Sequence, residues 1–340
     1  MKAAIFHSPR KITTEEVEMP TLSPKGILIK VKSCCICGSD LHMYKLGLFT
    51  DVITRKTDQG GIPGHEFSGE IVEVGSEVKD LAVGDRVSAY TNGGMAEYVP
   101  LDQAFPGRNV FKIPDEISDK EAATLEPLGN SVHAVMKGKP EKGDNAVVFG
   151  AGIIGLGVVQ VLKAGDYGLK KIIAVDVSDK RLDMALKVGA DAVINVSRDD
   201  LNEKILELVD TIELPIAPGI PFPAVDMVYD CVGYIQDRPE PPVIEQAINI
   251  ARPWTGRIIA HGVFEAPLTL DLSIMVGKQI QIIGSYGAWP EDSQKSIELM
   301  QTKKVDREIL VSHEFSLDQA SEAFETSCTV EDSIKVIINP

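Results

Sequence analysis

Basic residues are in short supply. Lysine and arginine number 34 against 50 aspartates and glutamates, a formal net charge of −16. Such a field repels polyanions, so nucleic acid is a poor partner, and no basic amphipathic stretch is present to lie on a membrane. Long apolar runs are missing as well. The opening MKAAIFHSPRKITTEEVEMP has no apolar core and no small-residue cleavage site, so no secretory leader is expected. The most apolar stretch, Ala146 to Leu162, is broken by glycines and reads as a buried strand and helix, not a membrane span. Cysteine is scarce and badly placed for crosslinking. The five stand at 34, 35, 37, 231 and 328, an odd number with three crowded together. That does not look like a disulfide framework and fits a reducing cytoplasm, with the thiols buried or bound to metal.

What is present is enough for two domains. At 340 residues, 44% hydrophobic and 25% charged, the chain exceeds what one compact core usually holds. Its first part reads as short strands between turns. Ile27–Lys32 is an apolar, partly alternating run, Glu70–Val74 alternates and stops at Gly75, and Arg86–Tyr90 follows the Gly84-Asp85 turn. Near Glu126 the texture changes. Continuous apolar runs at Ala146–Phe149, Lys171–Val175, Ala192–Ile194, Met227–Tyr229, Arg257–Ala260 and Ile280–Ile283 alternate with helical patterns. Apolar strands alternating with helices predict a parallel sheet covered on both faces, an α/β doubly wound arrangement. The proline-rich pieces Pro215–Pro223 and Arg238–Pro242 read as surface loops inserted into it.

Between the first two of those strands runs Gly150-Ala151-Gly152-Ile153-Ile154-Gly155, a G-x-G-x-x-G. The spacing alone is weak, but here it follows a strand, opens a helix, and precedes a second strand that ends in Asp176. Gly150 is expected to make the tight turn, Gly152 to admit a pyrophosphate, and Gly155 to let helix and strand touch. The helix N-terminus then faces the phosphates. Asp176 can accept hydrogen bonds from both ribose hydroxyls and would repel a 2′-phosphate, which favours NAD over NADP. Arg181, in the following helix, reads as solvated or lying along the adenosine.

A second chemistry-bearing region comes earlier. Ser33–His42 concentrates thiols, a hydroxyl, a carboxylate and an imidazole, and Gly64-His65-Glu66 adds an imidazole and a carboxylate. One reading is a zinc site of thiolate, imidazole and carboxylate with an open position. Another makes Cys34–Cys37 a C-x-x-C redox pair, although no thioredoxin-like pattern surrounds it, and His65 a hydrogen-bonded structural histidine.

Cys37-Gly38-Ser39-Asp40-x-His42 together with Gly64-His65-Glu66-x-x-Gly69, continuing to Gly75 and Val78, resembles the signature of zinc-containing medium-chain dehydrogenases. The resemblance spans nearly the whole chain, and Glu126-Pro127-Leu128 is similar to a segment of the threonine and polyol (sorbitol) dehydrogenase branch. It implies a β-rich GroES-like catalytic domain at 1–126, completed by 284–340, and a Rossmann dinucleotide-binding domain at 127–283. It also implies that Cys37, His65 and Glu66 bind zinc, with Glu126 as fourth ligand or acting through water, and that Asp40 orients His65. Ser39 would take the alcohol proton and pass it through the cofactor ribose to His42 and solvent. The expected reaction is hydride transfer from a secondary alcohol, such as a polyol, an amino alcohol like L-threonine, or a sugar derivative, to NAD. A homodimer or homotetramer is implied too.

The chain departs from that family in one respect. No cysteine lies between Cys37 and Cys231, so the four-cysteine lobe of many relatives is absent and one zinc ion per subunit is expected, with no structural zinc. Tyr44, Phe49, Tyr286 and Trp289 are candidate substrate-pocket walls, and Cys231 and Cys328 candidate packing residues. Two competing readings stand beside the zinc enzyme. One is a zinc-free quinone or enone reductase of the same architecture. The other is a non-enzymatic NAD-binding or lens-type structural protein. The presence of all the ligand and relay residues argues against both.

Overall fold

A computed structural model describes residues 1–215, 217–235, 241–329 and 333–340. The chain begins with β1 (Lys2–Ser8), β2 (Lys11–Glu16), β3 (Ile27–Cys35), α1 (Gly38–Leu46), α2 (Thr50–Ile53), β4 (Arg55–Thr57) and β5 (Gly60–Ile62). β6 (Glu66–Val74), β7 (Arg86–Ala89), β8 (Tyr98–Leu101), β9 (Val110–Lys112), α3 (Asp119–Ala123) and α4 (Leu125–Gly138) follow. Next come β10 (Asn145–Phe149), α5 (Ile153–Ala164), β11 (Lys171–Asp176), α6 (Asp179–Lys187), β12 (Ala192–Asn195), α7 (Leu201–Leu208), β13 (Thr211–Leu214) and β14 (Ala217–Pro223). Then β15 (Met227–Asp230), α8 (Val243–Ile250), β16 (Arg257–Ala260), α9 (Ser273–Lys278) and β17 (Gln281–Gly284) lead to α10 (Pro290–Gln301), β18 (Val311–Ser316), α11 (Ala320–Ser327) and β19 (Lys335–Asn339).

These elements form two compact units, one of Met1–Gly129 with Ala288–Pro340, the other of Asn130–Gly287. The first is β-rich. Its larger sheet runs β18-β19-β3-β6-β7-β9, with β8 also on β3, and its smaller one β2-β1-β5-β4. β3 is the hub, buried at Ile27, Ile29, Val31 and Cys34 and pairing with β6, β8 and β19. Burial of Ile29, Phe67, Ile71, Val87 and Phe324 marks its core, and a large aliphatic or aromatic side chain contributes about 1.5–3 kcal/mol each on burial.

The second unit is a six-stranded parallel sheet in the order β12-β11-β10-β15-β16-β17. β10 is buried throughout and β11 is buried from Ile172 onward, as the middle of a sheet covered on both faces requires. Strand order reverses beside β10. The chain steps outward to β11 and β12, then returns to β15 on the other side, which creates a crevice at the strands' carboxyl ends. The architecture is the expected Rossmann sheet plus a GroES-like β domain.

The proline-rich stretch 215–223 is not the loop its composition suggests. β13 and β14 make a two-stranded antiparallel hairpin, with Thr211 opposite Pro223 and Glu213 opposite Pro221. Such a ribbon is edge on both sides. Pro221 and Pro223 share one parity, so their missing donors all fall on a single side of the strand. Of the second proline-rich piece, 238–240 lie outside the described residues. Among the described residues, no helix is long and apolar enough to cross a membrane.

Candidate active site

Strand register brings the metal-ligating side chains together. Cys35, the last residue of β3, lies opposite Glu66, the first of β6. Cys37 follows two residues on, at the N-cap of α1, where its backbone N–H donates to Asp40 Oδ2 (3.0 Å) and fixes the chain's turn into the helix. His65 and Glu66 leave β5 through Gly64, which holds φ +94°. A side chain at Gly64 would collide with Cys34 Sγ at 2.7 Å and the Met95 backbone at 2.9 Å. Gly93 and Gly94 N–H both donate to the Gly64 carbonyl (2.9 and 2.8 Å), clamping that approach. As a result one ligand atom each from Cys37, His65 and Glu66 lies within 4.8 Å of the others.

Burial dominates the electrostatics of this cluster. It pushes the Cys37 thiol up, and Glu66 pushes it further, against the pull of His65. Asp40 is likewise raised by burial. Burial alone would lower His65, but Cys37 and Asp40 outweigh it and hold the imidazole well above its ordinary value. A thiol, an imidazole and a carboxylate converging in one buried cluster is the donor set of a zinc site with an open position. The residues present therefore fit the ion that the sequence implies. His65 Nδ1 and Asp40 Oδ1 are buried, and each lacks a hydrogen-bond partner among the described residues. Asp40 is thus not hydrogen-bonded to His65. It caps α1, and it acts on the imidazole through its charge.

Glu126, in the first turn of α4, is not part of the cluster, although it is near enough to raise His65 electrostatically. Ser39 and His42 occupy α1, both half-buried, and the His42 ring stands edge-on to Phe49 with centroids 6.2 Å apart. Tyr44 is no pocket wall. It is 1% exposed, packs on Phe324, and donates its hydroxyl to Glu325 (2.6 Å). Its helical position carries it to the inner face of α1, among Met43 and the core. Phe49, Tyr286 and Trp289 are exposed.

One partner of the cluster is not evident from the sequence motifs. Lys335 is fully buried, ion-paired to the equally buried Glu66, and donates to the Ile36 carbonyl (2.8 Å). Register explains it. β19 runs antiparallel to β3 with Ile337 opposite Cys35, so Lys335 falls across from Cys37. The available signal was a single lysine inside the otherwise apolar run Ile334–Ile338. Arg307, also buried, donates from Nε to Thr124 Oγ1 (3.2 Å), and burial pushes its guanidinium down to about 10.

In the parallel-sheet unit the glycine run has the geometry a dinucleotide needs. Gly150 turns with φ +86°, its N–H on the Val175 carbonyl (2.8 Å). Gly152 caps α5, and the space at its missing Cβ is open, the nearest atom being Arg181 Nη1 at 3.8 Å. Gly155 admits no side chain, since a Cβ would stand 1.7 Å from the Gly150 carbonyl oxygen. Ile154 lies in the first turn of α5, its carbonyl accepting from Ser131 Oγ (3.0 Å). Asp176 ends β11 and holds the loop itself. Oδ2 accepts from Ala151 N–H (2.6 Å), and Oδ1 from the N–H groups of Val177 (2.7 Å) and Ser178 (2.9 Å). A carboxylate has about four acceptor positions, so one is left for a ribose hydroxyl.

Residues 154–302 match the family model described as zinc-binding dehydrogenase, and residues 23–115 that of the alcohol dehydrogenase GroES-like domain. The chain belongs to the zinc-binding alcohol dehydrogenase family. This dehydrogenase is 32% identical to a (R,R)-butanediol dehydrogenase of Bacillus subtilis over the full length of both chains. It is 31% identical to an L-idonate 5-dehydrogenase of Vitis vinifera, covering 94% of this chain and 90% of that one. The crystal structure of 2R,3R-butanediol dehydrogenase from Bacillus subtilis superposes with a TM-score of 0.82 at 30% identity, covering 100% and 99% of the two chains. The dehydrogenase is accordingly a medium-chain enzyme of the zinc type, close to the polyol branch, and an oxidoreductase acting on CH–OH donors.

Proposed function

We propose that the enzyme oxidises a secondary alcohol, a polyol, an amino alcohol such as L-threonine, or a sugar derivative, to a ketone with NAD as hydride acceptor. The observation that carries this reading is the convergence of Cys37, His65 and Glu66 within 4.8 Å in a chain of this family. Those three residues hold one zinc ion, with Glu126 completing the set directly or through water. Bound there, the ion supplies Lewis-acid withdrawal of charge from the substrate oxygen. Ser39 accepts the hydroxyl proton and His42 hands it to solvent. In the sheet unit Gly150, Gly152, Ile154 and Gly155 cradle the pyrophosphate at the N-terminus of α5, Asp176 takes the ribose, and Arg181 lies beside the adenosine. NAD is preferred because a 2′-phosphate would meet the Asp176 carboxylate.

The chain passes from β7 to β8 without the cysteine lobe, which supports one zinc per subunit. Relatives named for butanediol and L-idonate support a substrate with a secondary hydroxyl on a short, oxygenated carbon chain. A homodimer or homotetramer is supported by β17, an edge strand with Ile282 and Ile283 half-exposed. The cytoplasmic location rests on five unpaired cysteines.

Elemental analysis and a substrate panel test the reading. The purified enzyme is expected to hold one zinc per chain and to reduce NAD with polyols, butanediols, sugar acids or L-threonine. Full activity after complete chelation, or a kinetic preference for NADP, would overturn the corresponding assignment.

A further inference from the structure

The β-rich unit holds a cation that nothing within it pairs. Arg55 opens β4, the edge strand of the smaller sheet, and lies opposite Ile62 of β5. Strand alternation sends Arg55 and Lys56 to opposite faces. Lys56 goes out to solvent and pairs with Asp51 (2.8 Å), while Arg55 turns inward and is half-buried. Its side chain lies along Gly93, where a Cβ would stand 2.8 Å from Arg55 Nε and 3.0 Å from Arg55 Cβ. The loop beneath it is tied on both sides. Asn92 Nδ2 donates to the Val52 carbonyl (2.7 Å), and Gly93 N–H donates to the Gly64 carbonyl (2.9 Å). Gly64 immediately precedes His65. One glycine contact and one hydrogen bond thus separate Arg55 from the residue next to a member of the metal-ligating cluster.

Arg55 Nε and Nη2 are both buried without a hydrogen-bond partner, and among the described residues Arg55 forms no ion pair. Nη1 has no partner either and is the nitrogen left within reach of solvent. Burial pushes the guanidinium below its ordinary value, and Asp102 offsets this through its charge alone. An arginine cannot shed its proton to relieve that cost, so a desolvated and unpaired guanidinium calls for an anion. Other half-buried arginines in the chain already have one. Arg86 holds Asp119 and Arg257 holds Asp144, each at 2.8 Å.

We propose that Arg55 is the receptor for a carboxylate on the substrate, so that the alcohol oxidised is a hydroxy acid and not a neutral polyol. The inference rests on the secondary-alcohol reading above and narrows it. A carboxylate meeting Nη1 accepts a charge-assisted hydrogen bond and supplies the single counter-charge that Arg55 lacks. A phosphate monoester brings about two negative charges at neutral pH and would call for a second cation, whereas Lys56 is committed to Asp51. A neutral polyol offers no counter-charge. Anchoring one end of the substrate also solves a problem of selection. A chain of similar hydroxyls gives the metal-ligating cluster no means of choosing among them, and a fixed carboxylate sets which one is presented.

The experiment compares kcat/KM of the zinc-loaded enzyme with NAD for matched substrates, in wild type, Arg55→Met and Arg55→Lys. The acids are the tetronate, pentonate and hexonate sugar acids and L-threonine. Each is paired with the alcohol that carries CH2OH in place of the carboxylate, and the sugar acids also with the corresponding sugar-alcohol phosphates. Wild type should favour an acid over its neutral counterpart. That ratio should fall about 10- to 100-fold in Arg55→Met, chiefly through KM, as expected for losing a hydrogen bond to a charged group. Arg55→Lys should keep part of the preference, since it retains the charge and loses the planar fork. A melting curve without substrate tells a receptor from a structural arginine. Arg55→Met should melt no lower than wild type, because it removes an unpaired charge. A lower melting temperature, equal losses on acid and neutral alcohol, or a wild-type preference for neutral alcohols or phosphates would overturn the proposal while leaving the secondary-alcohol reading standing. Oxidation of none of the panel, charged or neutral, would overturn that reading itself.

Discussion

At the scale of single residues, the sharpest consequence concerns Lys335 and Glu66. Both are about 1% exposed, and each is the other's charge partner. A buried ion pair adds little net stability against an apolar pair, but removing one member strands the other charge at a cost of about 3–5 kcal/mol. Lys335→Met should therefore lower the unfolding free energy of the metal-free protein by about that much, read by urea titration. Lys335→Met combined with Glu66→Gln should recover most of the loss. A second residue-scale prediction follows from His261. Its folded-state pKa lies below the unfolded value, so the unfolded chain binds the extra proton first as pH falls from 6.5 toward about 4. Stability from this residue is complete near neutral pH and is lost through that window, by about 3 kcal/mol. Unfolding midpoints of wild type and His261→Asn should diverge between pH 7 and 5, with wild type the steeper. How much of the site was legible differs by residue. Cys37 stands in one dense motif and His65 with Glu66 in another, and the family signature joined the two, whose ligand atoms lie within 4.8 Å of one another. Lys335 reaches them only through strand register with a segment some 300 residues along the chain, which no local pattern encodes. Asp40 was expected to orient His65, yet its Oδ2 serves the α1 cap, because a backbone donor three residues back is its nearest neighbour.

At the scale of elements, the strands of the parallel sheet were readable because burial on both faces leaves unbroken apolar runs. The glycine run was readable because it stands between a strand and a helix. The β13–β14 hairpin was not, since proline counts against strands generally and is tolerated here because each strand of a two-stranded ribbon keeps one unpaired edge. One helix depends on a residue that sequence pattern would place on the surface. Lys278, 6% exposed, ends α9 and points its ammonium at the C-terminus of α8, donating to the carbonyls of Ile248 (3.1 Å), Asn249 and Ala251 (3.1 Å). Those carbonyls have no helical partners, and the helix dipole draws a cation there. Lys278→Met should cost about 2–3 kcal/mol and lower the melting temperature, whereas Lys278→Arg should retain part of the stability.

For the molecule as a whole, charge is the decisive quantity. A net −16 opposes the approach of an anionic dinucleotide, although the N-terminus of α5 attracts it at short range. The repulsion is long-ranged and screened within about 10 Å at 0.1 M salt. NADH association followed by stopped-flow fluorescence should therefore accelerate several-fold between about 10 and 300 mM salt, with dissociation less affected. A rate that falls with salt would show that local attraction governs capture instead. The two-unit architecture and the family were both legible, because the signature residues and the alternation of strand and helix are distributed along nearly the whole chain.

The β13–β14 ribbon has a practical consequence at its base. Ala224 N–H donates to the Asp210 carbonyl at 2.8 Å, so the chain leaves and re-enters the sheet unit through a gate one hydrogen bond wide. Ends that close can be sutured by a two- or three-residue turn, at the loss of the buried Leu214, of the packing of β14 on α7, and of the contact between Lys278 and the Phe222 ring, 5.6 Å away. The enzyme thus has a natural socket, where the ribbon can be trimmed off or exchanged for a fluorescent or affinity cassette while the strands that frame the cofactor crevice stay in register.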